Sequence, residues 1–204
     1  PPRSTQSRSS AASDVYKRQL HELARVAEGE KVLIHAAAGG VGLAAVQICQ
    51  AVGAEIFATA GSDEKRGFLR SLGIEHVMNS RTLEFADEIA RVTDGRGVDV
   101  VLNSLPGEAI SKSIECLGAY GRFLEIGKTD IYQNRAIGLY PFQNNLSYFA
   151  IDLDKMLREK PRLVRRLFLE VVAQLERGVY RPLPMTVFER ERTAQAFRYM
   201  AQRK

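Results

Sequence analysis

Ala37-x-Gly39-x-x-Gly42 lies between two apolar segments of different period. Ahead of it, Val32 to Ala36 is a short apolar run interrupted only by His35, the pattern of a buried parallel strand. Behind it, Val41, Ala45, Ile48, Cys49 and Val52 recur as one face of a helix. A strand, a tight glycine turn and a helix form a cradle for a dinucleotide diphosphate. Gly39 lets backbone approach the pyrophosphate, and Gly42 lets the helix sit close on the strand. The first helical amides, from Gly40 and Val41 onward, then point at the phosphate, and the helix dipole favours its charge. Alanine at 37 departs from the usual first glycine. A glycine-rich turn without a ligand is the competing reading; the flanking strand and helix, and a fitting sequel about 20 residues on, favour the cradle.

That sequel is the end of the second apolar run, Glu55 to Ala60, which continues Gly61-Ser62 and, one helical turn later, Lys65-Arg66. An NAD site usually places an acid here for the ribose 2′-hydroxyl. A hydroxyl with one or two cations suits a 2′-phosphate instead. Arg81, after the third strand, could close the same pocket, so NADPH is expected. Ser62 or Asp63 is the expected N-cap of the next helix; Asp63 is the counter-argument, as a displaced ribose acid, and is read here as a helix cap. Asn103-Ser104-Leu105 and Gly127-Lys128 leave the fourth and fifth strands at the sheet edge where open α/β folds bind ligands. Asn103, Leu105 and Gly127 are expected to meet the nicotinamide and its ribose, with plain strand-end turns as the alternative.

The elements that hold these residues alternate. Strands are predicted at 32–36, 55–60, 75–79, 98–103, 121–126 and 146–151. Helices are predicted after the glycine turn to Val52, from Ser62-Asp63-Glu64 to Gly73, over 84–93, and around Ile110, Ile114 and Leu117. Such alternation gives a doubly wound parallel α/β sheet of Rossmann type, order 3-2-1-4-5-6. Residues 128–145 lack a period and read as a long loop or lid. A short helix is expected over 20–27, a long one over 161–177 with Leu163, Val164, Leu167, Val171 and Leu175 inward, and a last one over 191–202. Residues 179–188 look strand-like despite Pro182 and Pro184. Arg158, Lys160, Arg162, Arg165 and Arg166 form a basic outer face, read as solvated, with docking of an acidic carrier domain as the sharper alternative. Residues 1–19 read as a disordered tail or foreign remnant; 20–152 as the dinucleotide-binding domain; and 153–204 as C-terminal helices.

The composition of the 204 residues, 45% apolar and 26% charged, is that of a soluble globular protein. The net charge is +5. Arg3, Arg8, Lys17 and Arg18 against Asp14 place +3 of it in the first 18 residues. The remaining +2 argues against a nucleic-acid face. Cys49 and Cys116 sit in helical patterns as small apolar residues, and His21, His35 and His76 have no metal-ligand spacing, so no metal is expected. His35 reads as a satisfied core or turn histidine. No stretch is apolar enough for a membrane span, and no apolar signal region begins the sequence. A cytoplasmic location is expected.

HAAAGGVGLAAVQ, ATAGSDEKRGFLRSLG, NSRTLEFADEI, GRGVDVVLNSL and GRFLEIGKTDI occur in that order. Together they resemble the enoyl reductase domain of polyketide synthases and animal-type fatty acid synthases, a zinc-independent branch of the medium-chain dehydrogenases/reductases. The resemblance covers about residues 20–204. It implies NADPH-dependent reduction of a trans-2-enoyl thioester on an acyl carrier protein, among neighbouring synthase domains. Hydride would go to the β-carbon, charge would build on the thioester oxygen, and a proton would reach the α-carbon. The family's proposed proton donors include a lysine in the GK motif, here Lys128, and an aspartate about 25 residues later. Asp152 and Asp154 both fit that spacing, with Asp154 slightly favoured; water is a further donor. Family members begin with a GroES-like substrate domain and finish with another strand of it. This chain is therefore expected to be a fragment with a C-terminal remnant of that domain, binding cofactor but turning over thioester poorly alone. Pairing of the sixth strand across a homodimer is left open. A stand-alone quinone or enone reductase, and a non-catalytic NADPH-binding module, are the alternatives.

Overall fold

The computed structural model describes residues 18–184 and 186–201. Six parallel strands form one sheet in the order β3-β2-β1-β4-β5-β6, as the alternation predicts. They are β1 (Lys31–Ile34), β2 (Glu55–Ala60), β3 (His76–Asn79), β4 (Val98–Asn103), β5 (Leu117–Glu125) and β6 (Ser147–Ala150). Val32, Leu33 and Ile34 of β1 are all buried, because a central strand is covered on both faces. Val32 and Ile34 face one core and Leu33 the other.

Helices α1 (Gly40–Val52) and α2 (Asp63–Ser71) cover the first face, with Ala45, Ile48, Cys49 and Leu69 in its core. Helices α3 (Phe85–Val92) and α4 (Glu108–Glu115) cover the second, through Phe85, Ile89, Ile110 and Ile114. This two-sided covering makes the sheet doubly wound.

Several segments differ from expectation. Residues 20–27 form one π-helical turn, Arg18–Leu23, and then irregular chain with Arg25 at φ +50°. Here Arg122 Nε donates to the Ala24 carbonyl at 2.9 Å and Glu30 accepts from Ala27 N at 2.9 Å, bonds that compete with a helical ladder. Strand β5 begins four residues early, because Leu117 pairs with Val98 before the register shifts. The lid region holds a one-turn helix α5 (Thr129–Tyr132) and a 3₁₀ turn (Tyr140–Asn144). Helix α6 (Leu153–Glu159), not anticipated, precedes α7 (Pro161–Glu176). Of the expected inward residues of α7, Val164, Leu167 and Val171 are buried, while Leu163 and Leu175 are half-buried. The strand expected over 179–188 is absent among the described residues. Pro182 and Pro184 offer no N–H, and Gln47 of α1 clamps the backbone of Arg181 at 2.6 and 3.1 Å. Helix α8 (Thr193–Ala201) ends the described chain. The tail expected over 1–19 falls almost wholly outside the described residues.

Candidate functional site: a dinucleotide edge with a lysine clamp

After β1 the chain turns at Ala36, which takes φ +50°, and enters α1 from Gly39. A Cβ at Gly42 would lie 2.3 Å from Ala37 Cα and 2.5 Å from its carbonyl oxygen. Only glycine permits that helix to rest on this turn. At Gly40 the corresponding space is open, and Gly39 and Gly40 are exposed while Ala37 is buried. The turn thus presents bare backbone on its outer side and close packing beneath, a form that fits a diphosphate.

His35, just before the turn, is buried in a satisfied network. Its Nε2 faces Ser113 Oγ at 2.8 Å, and that hydroxyl donates to the Ala109 carbonyl. Nε2 therefore carries the hydrogen, and Nδ1 accepts from Thr59 Oγ1 at 2.9 Å. Burial lowers the imidazole pKa to about 3, and Phe85 packs edge-on against the ring. His35 is a neutral core residue.

The second group lies at the ends of β2 and β3. Ser62 caps α2, its Oγ accepting from Lys65 N at 3.4 Å. Arg66 folds back over the strand end, donating to the Ala60 carbonyl at 3.0 Å and to Asp63 Oδ1 at 2.5 Å. Asp63 is thus partner to a cation rather than the cap. Arg81 reaches over Gly61, where a Cβ would lie 3.2 Å from Arg81 Nε. The structure therefore gathers Arg66 and Arg81 at the edge that Ser62 and Lys65 also occupy.

The third group joins β4 to β5. Asn103 and Glu125 are register partners at the ends of these strands, and both are buried. Asn103 Nδ2 donates to Glu125 Oε2 at 2.6 Å and to the Leu105 carbonyl at 2.9 Å, and Oδ1 accepts from Leu105 N at 3.2 Å. Its side chain is spent inside the protein, shaping the Ser104-Leu105 turn. Gly127 N donates to Glu125 Oε1 at 2.6 Å, and a Cβ at Gly127 would lie 2.8 Å from that oxygen. Burial raises the Glu125 pKa to about 7, against the bonds from Asn103 and Gly127 that lower it. A cleft of about 230 Å³ opens beside this group, lined by Ser104, Leu105, Gly127, Asp130 and Tyr148. Glu125 was not singled out from the sequence; its signal is a charged residue closing an apolar strand run.

Lys128 follows directly. Its Nζ lies 2.8 Å from Asp152 Oδ1 and 2.7 Å from Asp154 Oδ2, so distance does not choose between the two aspartates. Their surroundings differ. Asp152 also caps α6, accepting from Lys155 N at 3.0 Å. Asp154 is the more exposed side chain, 67% against 30%. Hydrogen bonds to Asp152 and Asp154 push the Lys128 pKa well up, and the bond to Lys128 pulls Asp152 down to about 2. The clamp is one fixed cation between two carboxylates.

A doubly wound sheet with a glycine turn on β1 and cations beyond β2 defines a dinucleotide-binding unit. The profile of the family described as "Zinc-binding dehydrogenase" matches residues 40–161, and the chain belongs to that family. It is similar to the mycocerosic acid synthase-like polyketide synthase of Mycolicibacterium smegmatis, 50% identical over 182 residues, 89% of this chain and 9% of that one. Among solved structures it is similar to the CurK enoyl reductase, with 49% identity and a TM-score of 0.84 over 94% of this chain and 57% of that one. It is also similar to the nucleotide-binding subdomain of the enoylreductase domain of PpsC from Mycobacterium tuberculosis, with 44% identity and a TM-score of 0.82 over 86% of this chain and 98% of that one. The chain thus spans a small part of the synthase and just over half of the CurK reductase. A nicotinamide dinucleotide is the cofactor class this fold and family indicate.

The described residues do not fit a zinc ion, despite the family's name. No group of three or more His, Cys, Asp or Glu among them is placed to hold a metal. Burial pushes both thiols, Cys49 and Cys116, up to about 12, as for small apolar core residues. No helix among the described residues is long and apolar enough to cross a membrane.

Proposed function

We propose that this chain is the cofactor half of an NADPH-dependent enoyl reductase domain of a polyketide synthase, acting on a trans-2-enoyl thioester held by an acyl carrier protein. The observation that carries this reading is the layout of one sheet edge. Across β3-β2-β1-β4-β5-β6, the carboxyl ends carry in turn the Arg66/Arg81 cations, the glycine turn, the Asn103 and Gly127 loops, and the Lys128 clamp. That sequence matches a dinucleotide lying with its 2′-phosphate at Ser62, Lys65, Arg66 and Arg81. Its diphosphate would lie at Gly39, Gly40, Val41 and Gly42, and its nicotinamide near Leu105 and Gly127.

When bound, the reduced nicotinamide supplies the hydride for the β-carbon. Lys128 offers a fixed positive charge to the thioester oxygen, where negative charge develops. Delivery of a proton to the α-carbon by Lys128 requires that a carboxylate of the clamp first withdraw, because both hold the ammonium charged. Neighbouring synthase domains are the expected context, since the relative above is a polyketide synthase.

Fluorescence titration with NADPH and NADH, and a crotonyl-thioester assay on a chain extended to the whole reductase domain, test the reading. NADPH binding stronger than NADH, with thioester turnover, is expected. Turnover of quinones but not thioesters would point to a stand-alone reductase, and binding without turnover to a regulatory module. Binding of neither nucleotide overturns the proposal.

A further inference from the structure

Glu125 is a buried carboxyl that the proposed chemistry does not use. It closes β5 beside Asn103 of β4, and each of its oxygens accepts one N–H at 2.6 Å, from Asn103 Nδ2 and from Gly127 N. Asn103 in turn fixes both polar groups of Leu105. One carboxyl therefore joins the loop that carries Leu105 to the loop that carries Gly127 and Lys128. The bare Cα of Gly127 is what lets the carboxyl reach beneath that loop.

We propose that Glu125 is a positioning residue that holds the β4 and β5 loops in the geometry that receives the nicotinamide end of the cofactor, leaving the adenosine end untouched. The inference rests on the reductase reading above. An ionised carboxyl accepts both N–H groups fully; a protonated one offers a weaker acceptor at one oxygen. Burial is the main reason this change falls at higher pH than for a free carboxyl, and the bonds from Asn103 and Gly127 oppose it. Asp130, itself held by Gly107 N and Arg135, adds negative charge, and Tyr148 of β6 lines the same cleft and feels the charge of the carboxyl. The titration of Glu125 therefore falls near pH 7.

Glutamine at this site can accept only one of the two bonds, because its amide NH₂ would face an N–H. Asn103 cannot flip to compensate without losing both bonds to Leu105. The experiment compares NADPH with 2′-phospho-ADP-ribose, which carries the adenosine end and the diphosphate, lacks the nicotinamide and has no second phosphate monoester to titrate in this range. Wild type and Glu125→Gln are titrated calorimetrically with each ligand between pH 6 and pH 8.5. At pH 8, Glu125→Gln is expected to weaken NADPH about tenfold, the scale of a lost hydrogen bond to a charged group. Its affinity for 2′-phospho-ADP-ribose should stay within about twofold. In wild type, the preference for NADPH over 2′-phospho-ADP-ribose should rise with pH through about 7, and the variant should show no such rise. Taking the preference as a ratio removes the titration of the shared 2′-phosphate.

Equal losses for both ligands would reveal general damage and overturn the inference, as would an unchanged NADPH affinity. Should Glu125→Gln fail to fold, the wild-type arm decides alone: a ratio flat across pH 6–8.5 overturns the proposal. Wild type that binds neither ligand removes the reductase reading as well, so the two failures are distinguishable.

Discussion

Gly42→Ala tests whether the packing of α1 on its turn sets both stability and cofactor affinity. The added methyl would meet three backbone atoms of Ala37 at 2.3–2.5 Å, whereas ordinary contact begins near 3.4 Å. Backbone in a packed turn cannot rotate aside as a side chain can, so the helix start must move by about 1 Å. Overpacking of this kind costs about 1–3 kcal/mol, and the rigid partner places Gly42 at the upper end. Alanine returns about 1 kcal/mol of helix propensity. The net loss of about 2 kcal/mol corresponds to a fall of roughly 4–8 °C in melting temperature for a chain of this length. The same displacement moves the first amides of α1 away from the proposed diphosphate site, and on that reading NADPH affinity should fall about tenfold or more. Gly40→Ala is the control, since its methyl would meet nothing within 4 Å; its melting temperature should hold or rise. Thermal melts and NADPH titration of the two variants check this. A Gly42→Ala protein with unchanged melting temperature and unchanged affinity would refute the packing argument.

Lys65→Ala should weaken NADPH by about 1–3 kcal/mol, the range for a lost charged hydrogen bond, with little change for NADH; equal loss for both would remove the 2′-phosphate assignment. Stability against pH should show two opposing slopes. His35, with a folded pKa lowered to about 3, lets the unfolded chain bind the extra proton, so stability falls as pH drops below 6.5, by up to about 1.4 kcal/mol per unit. Glu125, raised to about 7 from 4.5, keeps its proton longer when folded, so its contribution falls as pH rises through that window. The two cancel between about pH 5 and 6.5, and urea melts should show a slope emerging with opposite sign in His35→Gln and in Glu125→Gln. Asp152→Ala should lower the melting temperature more than Asp154→Ala, because only Asp152 caps α6.

Where the sequence carries a local signal, structure follows it. β2 and β4 have the expected bounds, Glu55–Ala60 and Val98–Asn103, because each is an apolar run closed by turn residues. Ser62 caps α2 as its position before Asp63-Glu64 suggests. What escaped is what only the assembled sheet defines. The burial of Glu125 depends on a partner strand whose end, Asn103, lies 22 residues away in the chain. His35 finds Ser113 across 78 residues. Helix α6 had a signal, an aspartate ahead of Leu153-Asp154 and a proline at 161, but its seven residues make too few turns for a clear period. The contact of Lys128 with both aspartates was suggested by family resemblance and not by any periodicity; the structure supplies its geometry.

That geometry constrains the acid chemistry at this edge. A general acid works best when its pKa lies near the working pH, and two carboxylates against one ammonium drive the lysine the other way. In the closed clamp Lys128 is held protonated, which suits the proposed role of a fixed charge better than that of a proton donor. Asp152 is tied to the first turn of α6 through Lys155 N and lies near the Tyr132 hydroxyl. Asp154, two-thirds exposed, has no cap to hold it and is the carboxylate that can swing out. Asp154→Asn should therefore lower the lysine pKa, since it removes one of the two charges that raise it. If the protonated lysine is the working form, the alkaline limb of kcat/KM for thioester reduction by the whole reductase domain must move to lower pH in that variant. A limb that stays in place, or moves up, would show that the titration of Lys128 does not control the reaction, and the proton would then have to come from water.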